Sequence, residues 1–564
     1  MIKVVLRLEF KNVFPDKEKN NILFYLSKVS KDSLLRNIGF FNTHTKINFN
    51  NFFSNQIVQN EITERVYKYL NDFNIKENPK IISKLATLKM AETILSNKTE
   101  LFKNNQHTSV DSDEFNLFVA FLLINEEINE KQVLDNSAKN NKEKLVDLCI
   151  MFTFPLSDLA IFENDDLEFL NLIYTTTIKV EQLFDFLNSK PEYENLKNKL
   201  ITSYNVDNQN DFFSEMKYLF AKLLELKTSN NYLFEVEDKS SKYFLSSLIS
   251  DEILVDEDFT NIKINPIYKL EENIYSIINY FFVVDKFFRS SKFKLKEIYG
   301  KEQELKKTYG DFFNFFNKEF SENFLMKNVL NDIYEKKHFV KKSETSKELK
   351  GEPDYYLRCN NNIYVFENKD VSISKSIKSS SDIKKIEEVL KLKFLGDANH
   401  SVGIGQLINT IEEILSKKFR FDNYVNSKNN LKIYPILLVH DRIFQSIGIN
   451  YRLNLWYLNN VKDRLKEKYN SSTIKGLTII DIDTLILWAP YLKEKEKNFR
   501  NIIDSHLLKI NKQSNIKVND PDYRLKLVNK HLAEQLRPIK DRKMDYKIPT
   551  SLFIDKFRNI LKNK

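Results

Sequence analysis

Only nine glycines occur in this chain of 564 residues, and of these only Gly39 precedes residue 300. Glycine is the residue most at home in left-handed turns and close backbone approaches, so a front half almost without it reads as predominantly helical. The clearest segment is 113–129, where Phe115, Phe118, Phe121 and Leu122 recur at helical spacing behind an Asp111-x-x-Glu114 capping box. Segments 211–226 and 267–288 read the same way, and their aromatic stripes are read as core faces. The opening IKVVLRLEF is apolar and β-branched enough for a strand, which Pro15-Asp16 ends.

Beyond residue 300 the pattern alternates. A helix over 311–336 leads to a short strand HFVKK (338–342) and a hairpin over 354–369. Helices follow at 382–394 and from Gly405, and then comes KIYPILLVH (432–440), an apolar run expected of a strand buried on both faces. A helix at 453–469 and a strand at 477–482 continue the α/β alternation. At 67.0 kDa the chain exceeds one ordinary core, so several domains are expected. They are a mainly α regulatory, partner-binding or substrate-binding region (1–300), an α/β domain (301–510) and a basic extension (511–564).

Charge follows the same division. Residues 101–260 carry a net −16 and residues 301–564 a net +16, within an overall +9. A partner with a phosphate backbone would favour the basic half, because neutralising phosphates releases counterions. No apolar run reaches the roughly 18 to 20 residues that span a bilayer, and no long signal-peptide core is present, so the chain reads as cytoplasmic with no membrane contact. Cys149 and Cys359 stand far from each other and from any Cys/His array, as expected of reduced thiols.

The chemistry concentrates in GEPDYYLRCNNNIYVFENK (351–369). Asn360-Asn361 suits a two-residue type I′ turn, which pairs Cys359 with Asn362 and hence Asp354 with Glu367. Directly opposed residues share a face, and strand alternation adds Lys369 to it. Two carboxylates on one face repel unless a cation joins them, so a divalent metal is the natural occupant. The preceding helix offers Glu322, with Glu319 as its competitor, and the helix after Gly405 offers Gln406 in its first turn.

This order of elements and residues resembles the αβββαβ core of the PD-(D/E)xK nuclease superfamily, over roughly residues 311–485. The resemblance implies a restriction-endonuclease-like fold, a mixed sheet flanked by helices. It implies Mg²⁺, with Mn²⁺ as a substitute, bound by Asp354, Glu367, the carbonyl of Asn368 and Glu322. Lys369 and Gln406 would complete a catalytic set with Asp354 and Glu367. The implied activity is hydrolysis of phosphodiester bonds, most readily those of DNA in bacterial defence. Two other readings stay open: a non-cleaving nucleic-acid-binding module of a larger assembly, and an effector nuclease acting on RNA and activated by a protein partner of the acidic front half. A homo-oligomer is compatible with each.

Overall fold

The computed structural model describes residues 7–44, 46–76, 78–103, 108–131, 141–160, 165–250, 252–256, 258–336, 339–343, 352–396, 401–495, 498–512 and 534–542. These form two compact units, neither of them continuous in sequence. One gathers the described residues of 3–133 and 195–295, the other those of 134–194 and 296–563. The last crossing, between Leu295 and Lys296, lies close to the expected boundary at 300. Residues 134–194, expected with the helical front, instead belong with the sheet unit. The reason is apolar: Val146, Cys149, Ile150 and Phe154 join the buried cluster that covers the sheet.

The first unit is mainly helical, with long helices at Gln56–Asp72, Val110–Glu130 and Gln209–Thr228. The helix expected at 113–129 begins earlier, because Ser109 rather than Asp111 caps it by accepting from Ser112 N. The helix expected over 267–288 is corrected. Strands β1 (Leu233–Glu235), β2 (Ile267–Lys269) and β3 (Ile274–Ile277) form an antiparallel sheet in the order β1-β3-β2, and a helix starts only at Tyr280. Aromatic and β-branched residues on both sides of the polar Glu271-Glu272-Asn273 link suit a hairpin as well as they suit a helix face. Of the expected opening strand, residues 1–6 lie outside the described residues, Arg7 makes one bridge to Lys80, and Phe10–Val13 is helical.

The scarcity of glycine is met in two ways. Asn74, Asn205 and Asn230, together with Phe259, take left-handed positions, the asparagines with φ of 51°, 57° and 51°. Asparagine tolerates that region better than other residues with a Cβ. Gly39 itself is helical, and a Cβ there would lie 2.6 Å from Tyr232 Cδ2 and 2.8 Å from Ile277 O. It serves a close approach of helix to sheet rather than a turn.

Lys286 is buried in the same unit, and its ammonium donates to Ser247 O at 2.7 Å and to Ile264 O. Burial, with the nearby charge of Lys294, lowers its pKa to about 7. The unfolded chain therefore holds an extra proton between about pH 7 and the ordinary lysine value of 10.5. Over that window Lys286 should make stability rise with pH, by at most about 1.4 kcal/mol per unit. The melting temperature of Lys286→Met should accordingly rise less than that of the wild type between pH 7 and 9.5; parallel curves would contradict the assignment.

The second unit is built on a five-stranded mixed sheet of β4 (Val340–Ser343), β5 (Tyr355–Cys359), β6 (Asn362–Lys369), β7 (Lys432–Val439) and β8 (Thr478–Asp481), in that spatial order. β4, β5 and β6 run antiparallel, and β6, β7 and β8 run parallel. Helices α1 (Asn141–Asp158), α2 (Asp165–Asn188), α3 (312–333), α4 (Ile383–Phe394), α5 (Ile404–Leu415), α6 (Ile449–Leu465), α7 (Ile482–Glu494) and α8 (Asn498–Asn511) surround it. Ile363 and Val365 of β6, with Ile433, Leu437 and Val439 of β7, share a core with α1, α4 and α5. Tyr364 on the opposite face stacks on Tyr434 at 5.1 Å and meets Phe499 of α8 at 5.4 Å. β6 is thus covered on both sides, as its apolar run Tyr364-Val365-Phe366 requires.

The expected basic extension is described only at 534–542. There Leu536 and Ile539 are buried, and Arg542 Nε donates to His506 Nδ1 at 2.9 Å, so this piece belongs to the core. Cys149 is buried and Cys359 half-buried; both are free thiols, and burial pushes Cys149 up to about 12. No helix among the described residues is long and apolar enough to cross a membrane.

Candidate functional site

The hairpin holds the expected register: Cys359 pairs with Asn362 and Tyr355 with Phe366. The turn differs from expectation. Asn360 takes a φ of 54° while Asn361 does not enter positive φ, so it is not type I′, which needs both. The register survives because it depends on the two-residue loop length. Asp354 lies one residue before β5, at the position that continues the ladder opposite Glu367.

At this strand end the side chain takes over from the ladder. Asp354 Oδ2 accepts from Asn368 N at 2.7 Å. In a strand the N–H and C=O of one residue point to the same neighbour, so the Asn368 carbonyl also opens towards the Asp354 side. Glu367 and Lys369 share the other arm of the alternation, and Lys369 Nζ donates to Glu367 Oε1 at 2.8 Å. The Glu367 side chain is only 2% exposed and that of Lys369 18%.

The electrostatics of Lys369 show what surrounds it. Burial lowers the pKa of its ammonium. The charges of Glu367 and Asp354, the hydrogen bond to Glu367 and the charge of Glu322 outweigh that effect, leaving it above the ordinary lysine value. Three carboxylates from β6, the approach to β5 and α3 therefore act on one cation.

α3 sets Glu319 and Glu322 in different surroundings. The helix is α-helical at Phe312–Phe315, π-helical over Phe316–Met326 and α-helical again at Lys327–Ile333. At 3.6 residues per turn, positions three apart lie about 60° apart around a helix axis. The wider π turn, about 4.4 residues, opens that angle to roughly 115°. Glu319 points to Lys190, 3.4 Å away, while the charge of Glu322 reaches Lys369 and its Oε1 is shielded from solvent. Ser321, fully buried, donates to Asp370 Oδ2 at 2.6 Å and so ties α3 to the residue that follows β6.

Gln406 stands in the first turn of α5, as expected, and its Oε1 accepts from Gly403 N at 2.8 Å, closing the start of its own helix. Gly403 has a φ of 50°, and a Cβ there would lie 3.1 Å from Phe394 O and 3.6 Å from Lys369 Cε. The residue that α5 sets against Lys369 is thus a glycine in a conformation that side chains disfavour.

Three participants escaped the sequence reading: His440, Asp370 and Ser321. His440 follows β7 directly, and its Nε2 lies 2.7 Å from Asn368 Oδ1. The signal available was its place at the carboxyl end of a parallel strand, where open α/β sheets collect functional groups.

Among the described residues, no group of three or more His, Cys, Asp or Glu side chains is drawn together tightly enough to hold a metal ion. The donor set is nevertheless that of a hard cation, since oxygen donors suit Mg²⁺ and Mn²⁺. Three carboxylates against one ammonium leave a formal −2, which one divalent ion would balance. Such an ion would compete with Lys369 Nζ for the Glu367 carboxylate. No protein-family model, curated protein or solved structure matches this chain, so its function is read from this geometry.

Proposed function

We propose that the protein is a metal-dependent nuclease of the PD-(D/E)xK kind, hydrolysing phosphodiester bonds of DNA. One observation carries the reading: the adjoining ends of β5 and β6 bring together Asp354, bonded to Asn368 N, and Glu367, bonded to the Lys369 ammonium. The order α3, β4, β5, β6, α5, β7, with α4 inserted between β6 and α5, further supports a restriction-endonuclease-like core, and the net +16 of residues 301–564 suits a polyanionic substrate.

Asp354, Glu367, the Asn368 carbonyl and Glu322 would hold Mg²⁺. When bound, that ion supplies a water of lowered pKa and neutralises charge building on the scissile phosphate. Lys369, on the face it shares with Glu367, would face a phosphate oxygen and stabilise the charge that builds there. The Asn368 N–H fixes Asp354, and the buried environment of Glu367 keeps its carboxylate in place without solvent.

The test is a cleavage panel of plasmid, linear duplex, single-stranded DNA and RNA, with Mg²⁺ or Mn²⁺ and then EDTA. Full-length wild type should cut DNA only with the cation, and Asp354→Asn should not cut. Equal cutting by Asp354→Asn would sink the assignment, cutting of RNA alone would move the substrate class, and Mn²⁺ binding without any cutting would favour a binding module.

A further inference from the structure

We propose that His440 is a positioning residue for the cation site, acting through the side chain of Asn368. The inference rests on the nuclease reading and goes further, because it gives a role to a residue on the opposite face of the sheet from Glu367 and Lys369.

Asn368 sits where the sheet runs out. β5 begins only at Tyr355, β6 ends at Lys369 and β7 ends at Val439. On the β5 side its peptide N–H donates to Asp354 Oδ2. That peptide also presents the carbonyl expected to bind the cation. Its direction is set by the β6–β7 ladder on one side and by whatever holds the Asn368 side chain.

β7 supplies that fixing. In the parallel register Asn368 stands beside Leu438 and Lys369 beside Val439, so His440, two residues beyond Leu438, falls on the same face as the Asn368 side chain. Its Nε2 lies 2.7 Å from Asn368 Oδ1. An amide oxygen only accepts, so the proton is on Nε2 and the imidazole donates. Asn368 is 6% exposed, which leaves its amide little freedom once this bond is made. The chain of contacts is then His440 to the Asn368 side chain, and the Asn368 backbone to Asp354. Glu367 and Lys369 lie on the other face of the same strand, and the Ser321 bond to Asp370 steadies the next residue.

Groups that orient metal ligands without touching the metal typically change metal affinity by roughly 10- to 100-fold when removed. The experiment is calorimetric titration of full-length protein with Mn²⁺, alongside melting curves and DNA cleavage. Wild type, Glu367→Gln, His440→Ala, His440→Gln, Asn368→Ala and the His440→Ala/Asn368→Ala double variant are compared. His440→Ala should bind Mn²⁺ roughly 10- to 100-fold more weakly. His440→Gln, whose amide N–H can donate to Oδ1, should recover most of that loss. Asn368→Ala keeps the backbone carbonyl, yet should show the same defect as His440→Ala, and the double variant should be no worse than either. A merely structural role would lower the melting temperature without this rescue or this lack of additivity. Should His440→Ala fail to fold, Asn368→Ala and His440→Gln carry the comparison. Wild-type Mn²⁺ affinity in a folded His440→Ala or in Asn368→Ala would overturn the inference while leaving the nuclease reading intact. A wild type that neither binds Mn²⁺ nor cuts would overturn both.

Discussion

Glu367→Gln is expected to reduce Mg²⁺-dependent DNA cleavage by about a thousandfold or more while leaving the fold in place. The magnitude follows from the several kcal/mol of charge stabilisation that a correctly held cation supplies to phosphoryl chemistry. Glutamine keeps the volume and one oxygen for Lys369 Nζ but removes the charge. Glu367→Ala is the harsher change. The side chain is 2% exposed and bonded to Lys369, so truncation leaves both a cavity and an ammonium short of a partner. Breaking a buried pair in this way costs about 3–5 kcal/mol, and the persisting charges of Asp354 and Glu322 favour the lower end. Thermal melting of the two variants beside cleavage assays separates the effects. Wild-type cleavage by a folded Glu367→Gln would end the case for this site.

Lys369→Met should act in opposite directions on catalysis and on cation binding. Cleavage should fall about 10²- to 10³-fold, as when one preorganised donor to a reacting oxyanion is removed. Mn²⁺ should nevertheless bind more tightly, because the ammonium that now holds Glu367 would no longer compete for the three carboxylates. Without metal the variant should be destabilised at neutral pH by about 3 kcal/mol, through repulsion among acids left without their lysine. It should regain stability on adding Mn²⁺ or on acidification. In the wild type, the folded pKa of Lys369 lies above the 10.5 of an ordinary lysine, so its ion pairs stabilise fully below that pH and weaken only as pH rises through the higher folded value. Calorimetry at pH 7.5 decides: weaker Mn²⁺ binding in Lys369→Met would show that the lysine supports the cation instead of displacing it.

What the sequence revealed and what it hid have physical reasons. The hairpin register was legible because a two-residue loop leaves one pairing, and alternation then places Lys369 with Glu367 whatever the turn type. β7 was legible from its length and apolarity. The π-helical part of α3 was not, since no residue pattern within 316–326 marks a change of backbone hydrogen bonding, and this change is what separates Glu319 from Glu322. The strands at 267–277 were lost to a stripe of Ile and Tyr that serves either period. The placing of 134–194 with the sheet depends on contacts hundreds of residues away, which local pattern cannot carry. His440 required knowing which strand lies beside β6.

That distant placing also sets an order of events during synthesis. Ile447 N donates to Thr153 Oγ1 across 294 residues, and Arg452 meets Asp147 across 305. At about 5–20 residues per second, α1 leaves the ribosome roughly 15 to 60 s before the segment it must cover. Its apolar face, Val146, Ile150 and Phe154, has to wait through that interval, so the sheet unit closes only after nearly the whole chain has emerged. A fragment beginning at residue 301 would be made without its first wall, leaving the apolar residues of the sheet that α1 covers without that cover.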